Sequence, residues 1–441
     1  MGAHLSNAAY GILDYGVFPL GMLGVAPILL RNLGVAQYGV WTVASSAVSI
    51  GGVIASGFGD ANIQYIATHL GKGQAAPVDR AVRSMVGINL ALGVSLALLC
   101  WLLAAPAATL VTAHSANLKQ DCLWSLRIAS VLLVLRAFES VCISTQRAFE
   151  RYGAAVRISM LARVLALATA VCLSYLDRSV VAIVLSTRLM MAAALWLQLA
   201  RLKQLLSTAS LMPAFDLEAT RALFSFGFFS WLQAVADIVF SQVDRLVLGV
   251  SLGAAAVTSY VLCAQMAQPI FGFSAAGLHF LFPYLANRRA STCDASLRRP
   301  VLTALVCNVV FVGILTIALL LFGEPILRVW AGAGVAQSAA PVLSAIVWSS
   351  ALLGLNVTAA YALLSLGQVR IVTAANLLGG ALTLLLMFQL IPRLGIQGIA
   401  IARLSHSVVT LTLYIPLFRR LIAAQTKTAA VVVFNPVGEE G

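Results

Sequence analysis

Charged side chains are scarce in this sequence. They make up 10% of its 441 residues, against about 25% in a typical soluble domain, while 61% of the chain is hydrophobic. That balance excludes a soluble globular domain and a disordered chain. Long polar stretches are also missing. The longest runs from about Arg201 to Leu223, too short for a separate extramembrane catalytic domain. The seven cysteines (Cys100, Cys122, Cys142, Cys172, Cys263, Cys293 and Cys307) are odd in number, scattered and mostly inside apolar runs. None forms a C-x-x-C pair, so they read as small packing residues, neither a disulfide framework nor a zinc site. The five histidines are scattered, which gives no metal cluster. No positively charged segment precedes the first apolar run, so no secretory signal peptide is expected. The opening Met-Gly-Ala-His-Leu-Ser fits the myristoylation pattern at three fixed positions, a weak match that adds little to a chain held by many helices.

What the chain has is about twelve apolar stretches, at 8–30, 38–58, 84–111, 122–143, 158–176, 180–200, 224–249, 256–281, 301–322, 341–364, 371–391 and 396–417. Lipid cannot satisfy backbone N–H and C=O groups, so stretches of this length must be helices that cross the bilayer. The fold class is an all-α polytopic membrane protein. Pro19, Pro27, Pro106, Pro269 and Pro283 lie in or at the ends of spans, where they kink or break helices. The connections after even-numbered stretches, with both termini, hold 17 lysines and arginines, including Arg80, Arg83, Arg147, Arg201 and Arg370. The opposite connections hold 5: Arg31, Lys119, Arg178, Arg328 and Arg393. The positive-inside rule then puts both termini in the cytoplasm. Most of the net charge of +13 is this signal. It favours anionic lipid headgroups and needs no nucleic acid to explain it.

Two halves of six spans are expected, 1–210 and 211–420, with a cytoplasmic tail at 421–441. Tyr152-Gly153-Ala-Ala-Val-Arg157 resembles Leu366-Gly367-Gln-Val-Arg370, and Tyr65-Ile-Ala67 resembles Tyr284-Leu-Ala286. Two like halves around a cleft are a transporter plan that works by alternating access.

Charges inside the spans are costly and mark function or internal pairing. Six arginines, Arg127, Arg136, Arg163, Arg188, Arg245 and Arg403, stand against four acids, Asp14, Glu139, Asp237 and Asp244. The arginines are candidates for binding phosphate in a mildly basic lumen, because guanidinium matches phosphate geometry. The acids are candidates for ion coupling or gating, with H⁺ or Na⁺ as the ion and no other cofactor. Arg136 and Glu139 are three apart and share a helix face, and Arg127 points to roughly the opposite side. For Arg127 and Arg163, near span ends, snorkelling to the headgroups is the competing reading. For Arg136–Glu139 it is a purely structural pair, and for Asp244 and Arg245 a folding or gating pair.

Several segments resemble the polysaccharide-export flippases of the multidrug/oligosaccharidyl-lipid/polysaccharide exporter superfamily. In the first half these are Leu30-Arg-Asn-Leu-Gly-Val-Ala-Gln-Tyr-Gly-Val-Trp41 and Gly57-Phe-Gly-Asp-Ala-Asn-Ile-Gln-Tyr-Ile-Ala67. In the second they are Asp244-Arg245-Leu-Val-Leu-Gly249, Phe322-Gly-Glu-Pro-Ile-Leu-Arg328 and Ile391-Pro-Arg-Leu-Gly-Ile-Gln-Gly398. The resemblance implies two six-helix bundles in a bacterial inner membrane and, as cargo, a polyprenyl-diphosphate-linked oligosaccharide for O-antigen, capsule or exopolysaccharide. It puts Arg31 in a periplasmic-side motif, and it implies membrane lipids, a polymerase and chain-length or export machinery as partners. A multidrug or solute extruder of the same superfamily is the alternative. A peptidoglycan-precursor flippase would usually carry more helices. A membrane enzyme would need larger outer connections than these, and a channel would need a filter-like repeat.

Overall fold

The computed structural model describes residues 21–56, 59–113, 115–149, 151–177, 179–206, 212–278, 281, 285 and 298–420. In chain order the helices are α1 (Gly21–Leu33), α2 (Val35–Ala55), α3 (Gly59–Gly71), α4 (Ala75–Val111), α5 (Lys119–Ala148), α6 (Tyr152–Leu176), α7 (Val180–Leu206), α8 (Leu217–Leu252), α9 (Ala254–Leu278), α10 (Arg298–Ala331), α11 (Ala333–Ser365), α12 (Val369–Leu394) and α13 (Ile396–Leu411). A short helix over 414–420 continues α13. Among the described residues there is no strand.

Nine of these helices are long and apolar enough to cross a bilayer. The exceptions follow from composition. The described part of α1 is short, α3 is more polar, and α5 and α8 carry internal charges. The lipid-facing surfaces are apolar, with Leu98, Leu102 and Leu103 exposed on α4 and Val306, Ile314 and Leu321 on α10. The helices overrun the apolar stretches that announce them. α4 has 37 residues, about 55 Å of helix at 1.5 Å per residue, against a hydrocarbon core of about 30 Å. The helix persists past the membrane boundary because backbone hydrogen bonding does not depend on apolar side chains. For the same reason α3 forms where no span was expected. It is anchored by Asn62, whose Nδ2 donates to the Ser144 and Thr145 hydroxyls of α5 at 2.8 and 3.2 Å.

The chain forms two compact units, Met1–Val261 and Leu262–Gly441. In the first, α5 packs on α2, α3, α4 and α7, and α8 packs on α2, α3 and α4. The halves expected at 1–210 and 211–420 rest on the sequence repeat alone; the compact units divide later because α8 and the start of α9 lie against earlier helices. The segment before α8 is also tied down. Arg83 Nε donates to the Met212 carbonyl at 3.1 Å, and the Asp216 N–H donates to Ser84 Oγ at 3.1 Å. In the second unit α11 packs on α10, α12 and α13, and the Ser349 and Ser407 hydroxyls pair at 2.8 Å between α11 and α13.

Both units use the same joint between a helix and its successor. Asn89 on α4 donates to the Ala137 carbonyl on α5 at 3.2 Å; Asn308 on α10 donates to the Gly354 carbonyl on α11 at 2.9 Å. A small residue lets the backbones close over each asparagine. A Cβ on Gly93 would lie 2.8 Å from the Ala137 Cβ, and one on Gly354 would lie 3.3 Å from Val312. Gly93→Val is therefore expected to lower the melting temperature of the detergent-solubilised protein, at about 1–3 kcal/mol for an overpacked contact. Gly313→Ala, with open space around its Cβ, is expected to leave the melting temperature unchanged or raise it.

Candidate functional site

The densest buried polar cluster around the predicted charges joins α5, α6 and α7. Arg136 and Glu139 pair at 2.9 Å from Nη1 to Oε2. Their spacing of three residues puts both on one face of α5, and Gly52 on α2 leaves room for the Arg136 stem, 3.6 Å from a Cβ placed there. The other carboxylate oxygen of Glu139 accepts from the Ser159 hydroxyl of α6 at 3.0 Å. Gln198 on α7 reaches Ser159 at 3.4 Å and accepts from Gln146 Nε2. Glu139, Ser159, Gln146 and Gln198 are all buried, between 0% and 4% exposed, whereas the Arg136 side chain is 31% exposed. A buried carboxylate costs several kcal/mol to desolvate. Here the cost is offset by one guanidinium and one hydroxyl. The arrangement leaves an arginine in the middle of α5 that uses one N–H on its acid and keeps an exposed edge.

The remaining predicted residues are dispersed. Arg127 lies between two rings, with its guanidinium carbon 5.0 Å from the centre of Trp101 and 5.5 Å from that of Trp124. Both rings are 42% exposed, so Arg127 sits at the apolar surface of the bundle in cation–π contact. Arg163, four residues after Ser159 on α6, is half-buried, as are Arg188 on α7 and Arg403 on α13. The Arg403 carbonyl accepts from Ser349 and Ser407, both at 3.3 Å. Asp244 is buried; its carboxylate accepts from the Tyr260 hydroxyl and from the Arg245 N–H, the latter at 2.8 Å. Arg245 is half-buried, and its Nε has no hydrogen-bond partner among the described residues. Arg31 is exposed at the end of α1. Asp14 and the side chain of Asp237 lie outside the described residues. No group of three or more metal-ligating side chains occurs among the described residues. Sequence reasoning fixed on charge overlooked Ser159, Gln146 and Gln198. The glutamines gave a signal, as amides in or beside apolar runs, but only tertiary packing brings them to Glu139.

Arg136→Leu is expected to destabilise the protein by about 3 kcal/mol, because it strands the buried Glu139 carboxylate. Arg136→Leu combined with Glu139→Leu is expected to cost much less. Thermal unfolding of the purified single and double variants checks this; additive losses would show that the two side chains are not coupled.

The chain matches the polysaccharide biosynthesis protein family over residues 28–340. No curated relative matches it in sequence. Among solved structures, it resembles a lipid II flippase, MurJ, in an inward closed conformation, with a TM-score of 0.69 at 13% identity over 99% of this chain and 94% of that one. It also resembles an inward-facing multidrug resistance MATE family transporter of the MOP superfamily, with a TM-score of 0.67 at 15% identity over 95% and 96% of the two chains. A MATE transporter of Vibrio cholerae gives 0.58 at 19% identity over 96% and 99%. At these identities the likeness is one of fold, and that fold is a multi-pass helical transporter fold. With most of its length matched, the chain is a member of the polysaccharide biosynthesis protein family.

Proposed function

We propose that the protein is a flippase of the bacterial inner membrane. In this reading it moves a polyprenyl-diphosphate-linked oligosaccharide from the cytoplasmic to the outer leaflet by alternating access, with both termini cytoplasmic. The glycan serves O-antigen, capsule or exopolysaccharide assembly and passes to a polymerase and export machinery. The family match supports polysaccharide as the end product, and the likeness to a lipid II flippase supports a lipid-linked cargo. The observation that carries the reading is the Arg136–Glu139 pair. A diphosphate head cannot cross hydrocarbon unaided, while its lipid tail can stay in the bilayer. The protein has only to shield the head and hold its charge.

Arg136 suits that task. A guanidinium has five donors, and Glu139 takes one of those of Arg136. The exposed edge can donate to two phosphate oxygens in a fork, which a lysine could not match. Protonation of Glu139 would remove the competing negative charge and strengthen the hold on the diphosphate. Loss of the proton would restore the pair and favour release. Cargo affinity would thereby depend on an ion at Glu139, H⁺ or, as the alternative, Na⁺.

Glycolipid flipping in proteoliposomes with an imposed pH gradient tests this. Arg136→Ala is expected to abolish flipping, with Arg136→Lys recovering it only in part. Glu139→Gln is expected to flip at a rate independent of the gradient. Full flipping by Arg136→Ala, or gradient dependence retained in Glu139→Gln, would contradict the scheme. Dye efflux without glycolipid movement would favour the multidrug extruder.

A further inference from the structure

Arg127 lies at an exposed apolar face, although its place within an apolar run made it a candidate for the lumen. It stands on α5 against Trp124 of its own helix and Trp101 of α4. Leu102 and Leu103, next to Trp101, are exposed as well. A guanidinium keeps its full charge in any such setting. None of the ion pairs among the described residues includes Arg127, and its Nε is buried with no hydrogen-bond partner among them. The two rings attract the cation through their faces, but they bring no negative charge. A charge left so against hydrocarbon is costly. The membrane itself has to supply the counter-charge.

The helix sets the direction in which Arg127 reaches. Side chains tilt toward the N-terminus of their helix, and α5 begins at Lys119. Arg127 therefore points toward Lys119, past Trp124, which is one turn nearer that end. Gln120, seven residues before Arg127, shares the face one turn further on. Gln120 and Lys119 are both exposed. From the helix end inward, the face presents an amide, an indole and a guanidinium. Asp121, six residues before Arg127, is turned about 120° away around the helix, so this face of the first turns carries no carboxylate. Arg127 lies eight residues from Lys119, about 12 Å along the axis. The length of an arginine side chain, with local thinning of the bilayer, brings a lipid phosphate within reach over that distance. Tryptophan favours the same boundary.

We propose that Arg127, Trp101 and Trp124 form a binding site for the phosphodiester of an anionic phospholipid, phosphatidylglycerol, on the lipid-facing side of α4 and α5. The guanidinium donates to the phosphate oxygens, the rings hold it in place, and Gln120 stands where the glycerol headgroup would lie. A choline or ethanolamine headgroup fits worse, because its cation approaches Lys119 and finds no acid on this face. The site is built within the first compact unit alone. Only its leaflet, the outer one, rests on the orientation given under the proposed function.

Native mass spectrometry of the purified protein in detergent, with phosphatidylglycerol or phosphatidylcholine added, tests the site. The intact protein is expected to hold its first phosphatidylglycerol more tightly than phosphatidylcholine. Arg127→Gln is expected to weaken that binding about tenfold, the equivalent of one charge-assisted hydrogen bond. Arg127→Lys is expected to fall between, since it keeps the charge without the planar fork. Trp101→Leu with Trp124→Leu, which leaves the charge in place, is expected to weaken binding too. The control is Arg328→Gln, which removes an arginine that the positive-inside rule assigns to the same side and that pairs with Glu324; it is expected to bind as the unaltered protein does. Unchanged binding by Arg127→Gln or by the double tryptophan variant overturns the proposal. So does an equal loss in Arg328→Gln, or equal binding of the two lipids by the unaltered protein.

The leaflet has a separate test. Lys119→Cys is expected to react with an impermeant maleimide in intact cells, above the labelling of the native cysteines. Reaction only after the membranes are opened would overturn the orientation and move the site to the cytoplasmic leaflet, with the lipid binding itself still standing. Reaction in intact cells without selective lipid binding would reject the site and leave the transport reading untouched.

Discussion

Helices in a bilayer gain no hydrophobic free energy by leaving lipid for one another, so close backbone approach and interhelical hydrogen bonds must hold this bundle together. Its recurrent contacts meet that constraint. Asn89 and Asn308 each bind a carbonyl of the next helix beside a glycine or alanine, and Gly39 admits α9 onto α2. Gly51 admits Leu133 of α5, 2.6 Å from a Cβ placed there. Large apolar side chains are left to face lipid, as on α4 and α10. This inverts the habit of soluble proteins, and it makes neutral polar residues and small residues the carriers of specificity.

The same constraint explains the polar cluster on α5, α6 and α7. Glu139 can stay buried only because Arg136 and Ser159 satisfy it. Arg136 can stay half-buried in the middle of α5 only because Glu139 neutralises it in part. Each side chain is tolerable through the other. The contact between α2 and α9, by contrast, is built from uncharged groups.

Much of the fold was legible in the sequence. Uninterrupted apolar runs have no other stable form in a membrane, so the positions of the spanning helices could be read directly. The pairing of Arg136 with Glu139 was legible too, because it depends only on a spacing of three along one helix. Contacts set by tertiary packing were not. Trp101, which faces Arg127 from α4, lies on a different helix, and Ser159, Gln146 and Gln198 carry no charge to draw notice. α3 was hidden because its helix continues beyond the apolar run. The faint likeness of Tyr65-Ile-Ala67 to Tyr284-Leu-Ala286 became informative only once Gly34, Gly253, Asn89 and Asn308 fell at the same separation.

The central claim is that the protein carries a lipid-linked glycan between leaflets. The most direct measurement is the leaflet distribution of lipid-linked oligosaccharide after deletion of the gene in its native host. The account predicts accumulation on the cytoplasmic leaflet with loss of surface polysaccharide. An unchanged distribution with intact surface glycan would contradict it.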